Sequence, residues 1–137
     1  MKNLLCFFLL LSGVGLLAQS GVAKIDTGII KGAKYRILFP ENWKGKLVMY
    51  AHGYEFMGAS PRQSQNPGFV SNMKPFLDRG FAVAASDYSK QGYAMPEGIE
   101  DTEALRSYFV KTYGKPDSTF MVGHSMGGGI TLGIMEN

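Results

Sequence analysis

The chain has 137 residues, 45% of them hydrophobic and 18% charged. This composition is typical of one globular domain and excludes disordered and fibrous classes. The net charge of +3 comes from scattered single lysines and arginines, so we expect no binding to nucleic acid, which needs a clustered basic surface.

Residues 1–20, MKNLLCFFLLLSGVGLLAQS, have the layout of a secretory signal peptide. Lys2 provides a basic start, an apolar run follows, and Ala18 and Ser20 are small residues suited to cleavage. The alternative is a membrane anchor, but the run is shorter than the ~20 residues that a spanning helix needs. We therefore predict a secreted or periplasmic protein whose mature part, residues 21–137, has no membrane span. Because Cys6 lies in the leader, the mature part has no disulfide, thiol nucleophile or cysteine-bound metal.

From residue 22 onward, strand and helix patterns alternate. Two strand-like runs around Lys31-Gly32 predict an antiparallel hairpin that ends at Pro40. Apolar runs at 46–53, 81–88 and 118–123 predict strands that are buried on both faces. Helical spacing predicts helices over 66–80, shortened by Pro75, and over 97–116, and a third helix follows the last strand. The order predicts an α/β fold: the hairpin first, then parallel strands flanked by helices. The apolar helix faces are Phe69, Val70, Met73, Phe76 and Leu77 in the first helix, and Ile99, Leu105, Tyr108, Phe109 and Thr112 in the second.

The segment Gly123-His124-Ser125-Met126-Gly127 matches the G-x-S-x-G pattern between a predicted strand and a predicted helix. This pattern forms a tight strand-to-helix turn that holds the serine in a strained conformation at the end of a sheet. The alternatives are a glycine-rich turn that only packs a helix against a sheet, or a phosphate-binding loop. No lysine follows the glycines, and the segment lacks G-x-G-x-x-G, so neither common nucleotide loop fits.

Together with the earlier segments AHGY and SDY, the segment GHSMGG resembles the α/β-hydrolase superfamily, over about residues 35–135. The likeness is to secreted bacterial esterase-like and prolyl-oligopeptidase-like serine hydrolases. It implies hydrolysis of a small-molecule ester or a peptide-like substrate through an acyl-enzyme on Ser125. We expect no metal or cofactor, since the mature part has no cysteine and both histidines already have roles in the motifs. The likeness also implies that the main-chain N–H groups of Tyr54 and Met126 stabilise the oxyanion. We expect His52 to be structural, bonded to nearby backbone, and His124 to support the turn.

The catalytic acid and histidine are missing from the sequence after Ser125. In this superfamily both follow the serine, yet no histidine follows Ser125, and Glu136 lies about three helical turns away. We therefore predict that residues 21–137 are the N-terminal part of a longer domain, truncated after the serine turn and inactive alone. The strand at 118–123 is then an exposed apolar edge. Two other functions stay open: an acyltransferase on the same fold, and a non-catalytic binding module. The oligomeric state stays open as well.

Overall fold

A computed structural model describes residues 21–60 and 66–136. The predicted signal peptide, residues 1–20, lies outside the described residues. The elements within the described ranges are β1 (Val22–Ile30), β2 (Ala33–Pro40), β3 (Lys46–Ala51), α1 (Gly68–Leu77), β4 (Phe81–Ser86), α2 (Met95–Tyr113), β5 (Ser118–Gly123) and α3 (Met126–Met135).

The strands form one sheet in the order β1-β2-β4-β3-β5. β1 and β2 are an antiparallel hairpin, whose turn residues Lys31 and Gly32 have φ of +49° and +88°. Such left-handed pairs match the twist of a two-residue hairpin. β2 pairs antiparallel with β4, whereas β3 pairs parallel with both β4 and β5. The predicted sheet, a hairpin followed by parallel strands with flanking helices, is confirmed.

The interior strands are covered on both faces, which explains their nearly continuous apolar runs. Val48 and Val83 pack on the α1 side, against Phe69 and Met73. The alternate positions of the same strands face α2, where Met49 packs with Phe109 in a second cluster. Since successive side chains of a strand point to opposite faces, both sets must be apolar. The result is a three-layer arrangement whose parallel strands end together at one edge.

The helices follow the predicted pattern with one error. α1 is short and carries Pro75 in its last turn, and Gly80 follows it with φ of +82°. In α2 the prediction that Thr112 faces the core is wrong, because Thr112 is exposed. The buried line of α2 runs through Thr102, Leu105 and Phe109, which are three and four positions apart. This spacing places Tyr113, and not Thr112, beneath the helix.

β5 is a strand as predicted, but it is not buried on both faces. Among the described residues it pairs only with β3, so it forms one edge of the sheet. Phe120 is accordingly 50% exposed. An apolar strand edge of this kind is a template for further pairing.

Candidate active site

Ser125 occupies a strained turn between β5 and α3. Its φ of +53° and ψ of −127° lie outside the regions that a residue with a side chain readily adopts. The turn is closed by the N–H of Gly127, which donates to the His124 carbonyl at 2.9 Å. Ser125 is exposed, while α3 begins at the next residue. The strand-to-helix turn predicted from G-x-S-x-G is therefore present.

The glycines on both sides of this turn are required by close packing. A Cβ on Gly123 would lie 2.6 Å from Thr131 Oγ1 and closer still to the carbonyl oxygen of Gly127. A Cβ on Gly127 would lie 2.6 Å from the carbonyl oxygen of His52. Real Cβ atoms do not approach within 3.0 Å of such neighbours. The first turn of α3 thus packs directly on the backbone that follows β3.

The segment His52-Gly53-Tyr54 lies against the serine turn, as the sequence predicted. A Cβ built on Gly53 would be 3.2 Å from Ser125 Cβ and 3.1 Å from His124 Nε2. Within residues 21–60 and 66–136, the main-chain N–H groups of Tyr54 and Met126 have no hydrogen-bond acceptor. Met126 is the first residue of α3, where amides lack an intrahelical partner and the helix dipole is positive. Tyr54 thus follows a glycine that lies against Ser125, and Met126 follows Ser125 directly, while their role as oxyanion donors stays a prediction.

His52 is buried and bonded to neighbouring backbone, which confirms the structural role expected for it. Its Nδ1–H donates to the Gly53 carbonyl at 2.7 Å, and its ring stacks on Tyr88 with the centroids 3.9 Å apart. Tyr88 in turn donates its hydroxyl to the His52 carbonyl at 3.1 Å. Burial lowers the pKa of His52, and the Glu55 carboxylate, 3.9 Å from Nδ1, acts in the opposite direction. The neutral imidazole thus holds the turn that leads to Tyr54.

His124 supports the serine turn from the other side, also as predicted. Its Nδ1 shares a hydrogen bond of 2.9 Å with the Tyr50 hydroxyl at the end of β3. The two rings are nearly parallel, with an interplanar angle of 22°. Both residues line a cavity of about 470 Å³ between α1 and the ends of β3 and β5. Among the described residues, His52 is bonded to the Gly53 carbonyl and His124 to the Tyr50 hydroxyl, and neither ring forms a hydrogen bond with the Ser125 side chain.

The loop after β4 contributes buried polar contacts that the sequence did not indicate. Asp101 of α2 is buried and accepts hydrogen bonds from the main-chain N–H and the hydroxyl of Ser89, each at 2.7 Å. Tyr88, just before, has a φ of +57°. These contacts fix the loop beneath the His52 turn. Only the SDY segment marked this loop in the sequence, and nothing indicated that a carboxylate twelve positions later binds it.

Residues 21–60 and 66–136 contain no group of three or more histidine, cysteine, aspartate or glutamate side chains placed to hold a metal ion. In the same part of the chain, no helix is both long enough and apolar enough to cross a membrane.

Solved structures of α/β-hydrolases are similar to this chain. EstE5, soaked with p-nitrophenyl butyrate, matches with a TM-score of 0.63 at 20% identity, over 90% of this chain and 41% of its own. The carboxyl esterase from Bacillus coagulans, in complex with glycerol, matches with a TM-score of 0.58 at 26% identity, over 81% of this chain and 39% of its own. XC6422 from Xanthomonas campestris, described as a serine hydrolase without a lid, has a TM-score of 0.61 at 13% identity, over 82% of this chain and 55% of its own.

The chain therefore spans about two-fifths to just over half of the length of these three proteins. No protein-family model and no curated protein sequence matches it. The strand order, the serine turn after β5 and the likeness to these esterase structures lead to one conclusion about the fold. The chain has the α/β-hydrolase fold, and it comprises the strands and helices from the N-terminal hairpin to the helix that follows the serine turn.

Proposed function

We propose that this chain is part of an exported serine esterase in which Ser125 is the nucleophile. The observation that carries the proposal is the strained Ser125 turn, packed against Gly53 and flanked by the amides of Tyr54 and Met126. A strained backbone conformation at an exposed serine lowers the stability of the fold, and strained residues occur most often at functional sites. A turn that served only to pack α3 on the sheet would not need a serine at this φ.

The proposed reaction proceeds through an acyl-enzyme. Ser125 Oγ loses its proton to a base and attacks the ester carbonyl carbon, and the carbonyl oxygen becomes an oxyanion. The amides of Tyr54 and Met126 donate to that oxygen, and the positive end of α3 lowers the energy of the charge. The C–O bond of the alcohol then breaks, and the alcohol leaves with the proton. Water, activated by the same base, releases the acid and restores the serine.

We propose that the base and its acid partner lie outside residues 1–137. In the order that this fold follows, an aspartate or glutamate and then a histidine come after the serine. No histidine follows Ser125, and the matched structures are longer than this chain. We place both groups in a C-terminal part of the fold. Export rests on residues 1–20, whose basic start, apolar run and small residues are those of a signal peptide.

Hydrolysis of a short p-nitrophenyl ester by the full-length gene product tests the proposal. Ser125→Ala is expected to lower kcat by at least about a thousandfold, since removing a nucleophile leaves only the contribution of binding and the oxyanion donors. Ser71→Ala is the matched control, because Ser71 is an exposed serine on α1. A fluorophosphonate probe is expected to label the wild type and the control, but not Ser125→Ala.

The other functions give different results. Undiminished turnover in Ser125→Ala contradicts the nucleophile. A folded wild type that neither hydrolyses esters nor reacts with the probe is a binding module. Transfer of the acyl group to an added alcohol in preference to water identifies an acyltransferase.

A further inference from the structure

An apolar patch near the serine turn is formed by Tyr54, Phe56 and Tyr93. Phe56 and Tyr93 are 72% and 75% exposed, and Tyr54 is 45% exposed. Single exposed apolar residues are common, but three aromatic ones on two touching loops need an explanation. All three side chains are uncharged aromatic groups, so the surface suits an uncharged ligand.

The two loops that carry the patch are joined by hydrogen bonds. Glu55 pairs with Gly92 in an isolated antiparallel bridge, in which the N–H of Gly92 donates to the Glu55 carbonyl at 2.9 Å. The Gln91 side chain accepts from the N–H of Gly58 at 2.7 Å and donates to the carbonyl of Ala59. These bonds hold the backbone of the two loops together, so the loops that carry the patch are preformed.

The bridge also determines which side chains share a face. In an antiparallel pair, residues that lie opposite each other point to the same side, so Tyr54 and Tyr93 share a face. Phe56, two positions after Tyr54, points the same way, and the two rings meet edge to face with centroids 5.4 Å apart. Glu55 points to the opposite side and is buried. The charge in this loop is thus turned away from the patch.

The patch begins where the proposed chemistry takes place. Tyr54 follows Gly53, whose Cβ position lies 3.2 Å from Ser125 Cβ, and the Tyr54 amide is a proposed oxyanion donor. From Tyr54 to Phe56 the extended chain covers about 6.6 Å. A substrate group that lies on the patch has to extend past Tyr54, so we expect a medium-length acyl or alkyl chain to reach Phe56 better than an acetyl group does.

We propose that the apolar patch binds the hydrophobic part of the substrate, and that the substrates are esters with a medium-length or aromatic apolar group. This inference rests on the proposed esterase function. The occupant is the substrate itself because the patch is continuous with the Tyr54 amide and is uncharged.

The test compares chain-length preference in the full-length gene product. The readouts are the kcat/KM ratio of p-nitrophenyl octanoate to acetate and the ratio of hexyl acetate to ethyl acetate. Phe56→Ser and Tyr93→Ser are each expected to lower at least one ratio about tenfold, the effect of losing contact with roughly two buried CH₂ groups. The matched control is Ile25→Ser, since Ile25 is 52% exposed on β1 at the far edge of the sheet. It is expected to leave both ratios unchanged.

Both ratios unchanged in Phe56→Ser and Tyr93→Ser overturn the inference while leaving the esterase function intact. The same holds if these variants lose binding to phosphatidylcholine vesicles with both ratios unchanged, which assigns the patch to a lipid surface. Absence of any ester turnover in the wild type counts against the proposed function instead. In that case titration of Ser125→Ala with intact p-nitrophenyl octanoate decides the inference, and adding Phe56→Ser is expected to weaken binding by about fivefold or more.

Discussion

Replacing Gly127 with alanine is expected to force α3 away from the end of β3. The added Cβ would lie 2.6 Å from the His52 carbonyl oxygen and closer still to that of Ala51. Reaching 3.0 Å, the limit for real Cβ atoms, needs a shift of at least 0.4 Å from His52 and more from Ala51. Both obstacles are main-chain atoms of the central strand and the turn after it, so neither rotates away as a side chain does.

The expected cost follows from two opposing effects. Overpacking of this kind destabilises a protein by about 1–3 kcal/mol. Alanine in a helix stabilises it by about 1 kcal/mol relative to glycine. We expect a net loss of up to about 2 kcal/mol in the free energy of unfolding, together with slower labelling of Ser125 by a fluorophosphonate. Gly128→Ala is the matched control, because its Cβ would meet nothing within 4 Å in the same helix. It is expected to gain up to about 1 kcal/mol.

Urea denaturation of both variants in the full-length gene product measures the difference. If Gly127→Ala is as stable as Gly128→Ala and keeps the wild-type labelling rate, then α3 does not pack on the β3 backbone as described. Loss of labelling with unchanged stability places the displacement at the serine turn alone.

Three further predictions concern groups around the site and the hairpin. Tyr50→Phe removes the hydrogen bond to His124 and is expected to destabilise the protein by about 1 kcal/mol and to slow Ser125 labelling several-fold; a wild-type rate contradicts the supporting role. Asp26→Asn weakens the bonds that three tyrosine hydroxyls donate to this carboxylate and is expected to cost about 2 kcal/mol in urea denaturation, whereas a cost near zero shows that the cluster is not stabilising. The lowered pKa of His52 makes the unfolded state bind a proton that the folded state does not, so stability is full above about pH 6.5 and falls as the pH drops towards the folded pKa. Urea denaturation at several pH values is expected to show a shallower fall in His52→Gln, and an equal fall contradicts burial of a neutral imidazole.

The sequence predicted the parts of the fold that depend on short-range patterns. Apolar runs located β3 and β4. The glycines around Ser125 located the turn, because only glycine fits where two backbone segments pack this closely. Thr112 was assigned wrongly, since the apolar pattern of α2 is interrupted by the buried Asp101 and Thr102.

Long-range polar contacts were beyond sequence reasoning. The Asp26 carboxylate accepts hydrogen bonds from the hydroxyls of Tyr108 and Tyr113, which are 82 and 87 positions away in the sequence. No pattern in the sequence around Asp26 predicts these contacts. The apolar patch depends on a long-range contact as well. Phe56 lies in a loop without a strand or helix pattern, and only the Glu55–Gly92 bridge brings this loop to the one that carries Tyr93.

The pairing of β3 has a consequence for synthesis of the chain. Tyr50 at the end of β3 meets His124, which is 74 positions later in the sequence. At a translation rate of about 5–20 residues per second, those positions take roughly 4–15 s to make. Throughout that interval the apolar edge of β3 that later pairs with β5 has no partner strand, even after β4 has been made. During synthesis the chain thus carries an open apolar strand edge for seconds, and such an edge is prone to pairing with other chains.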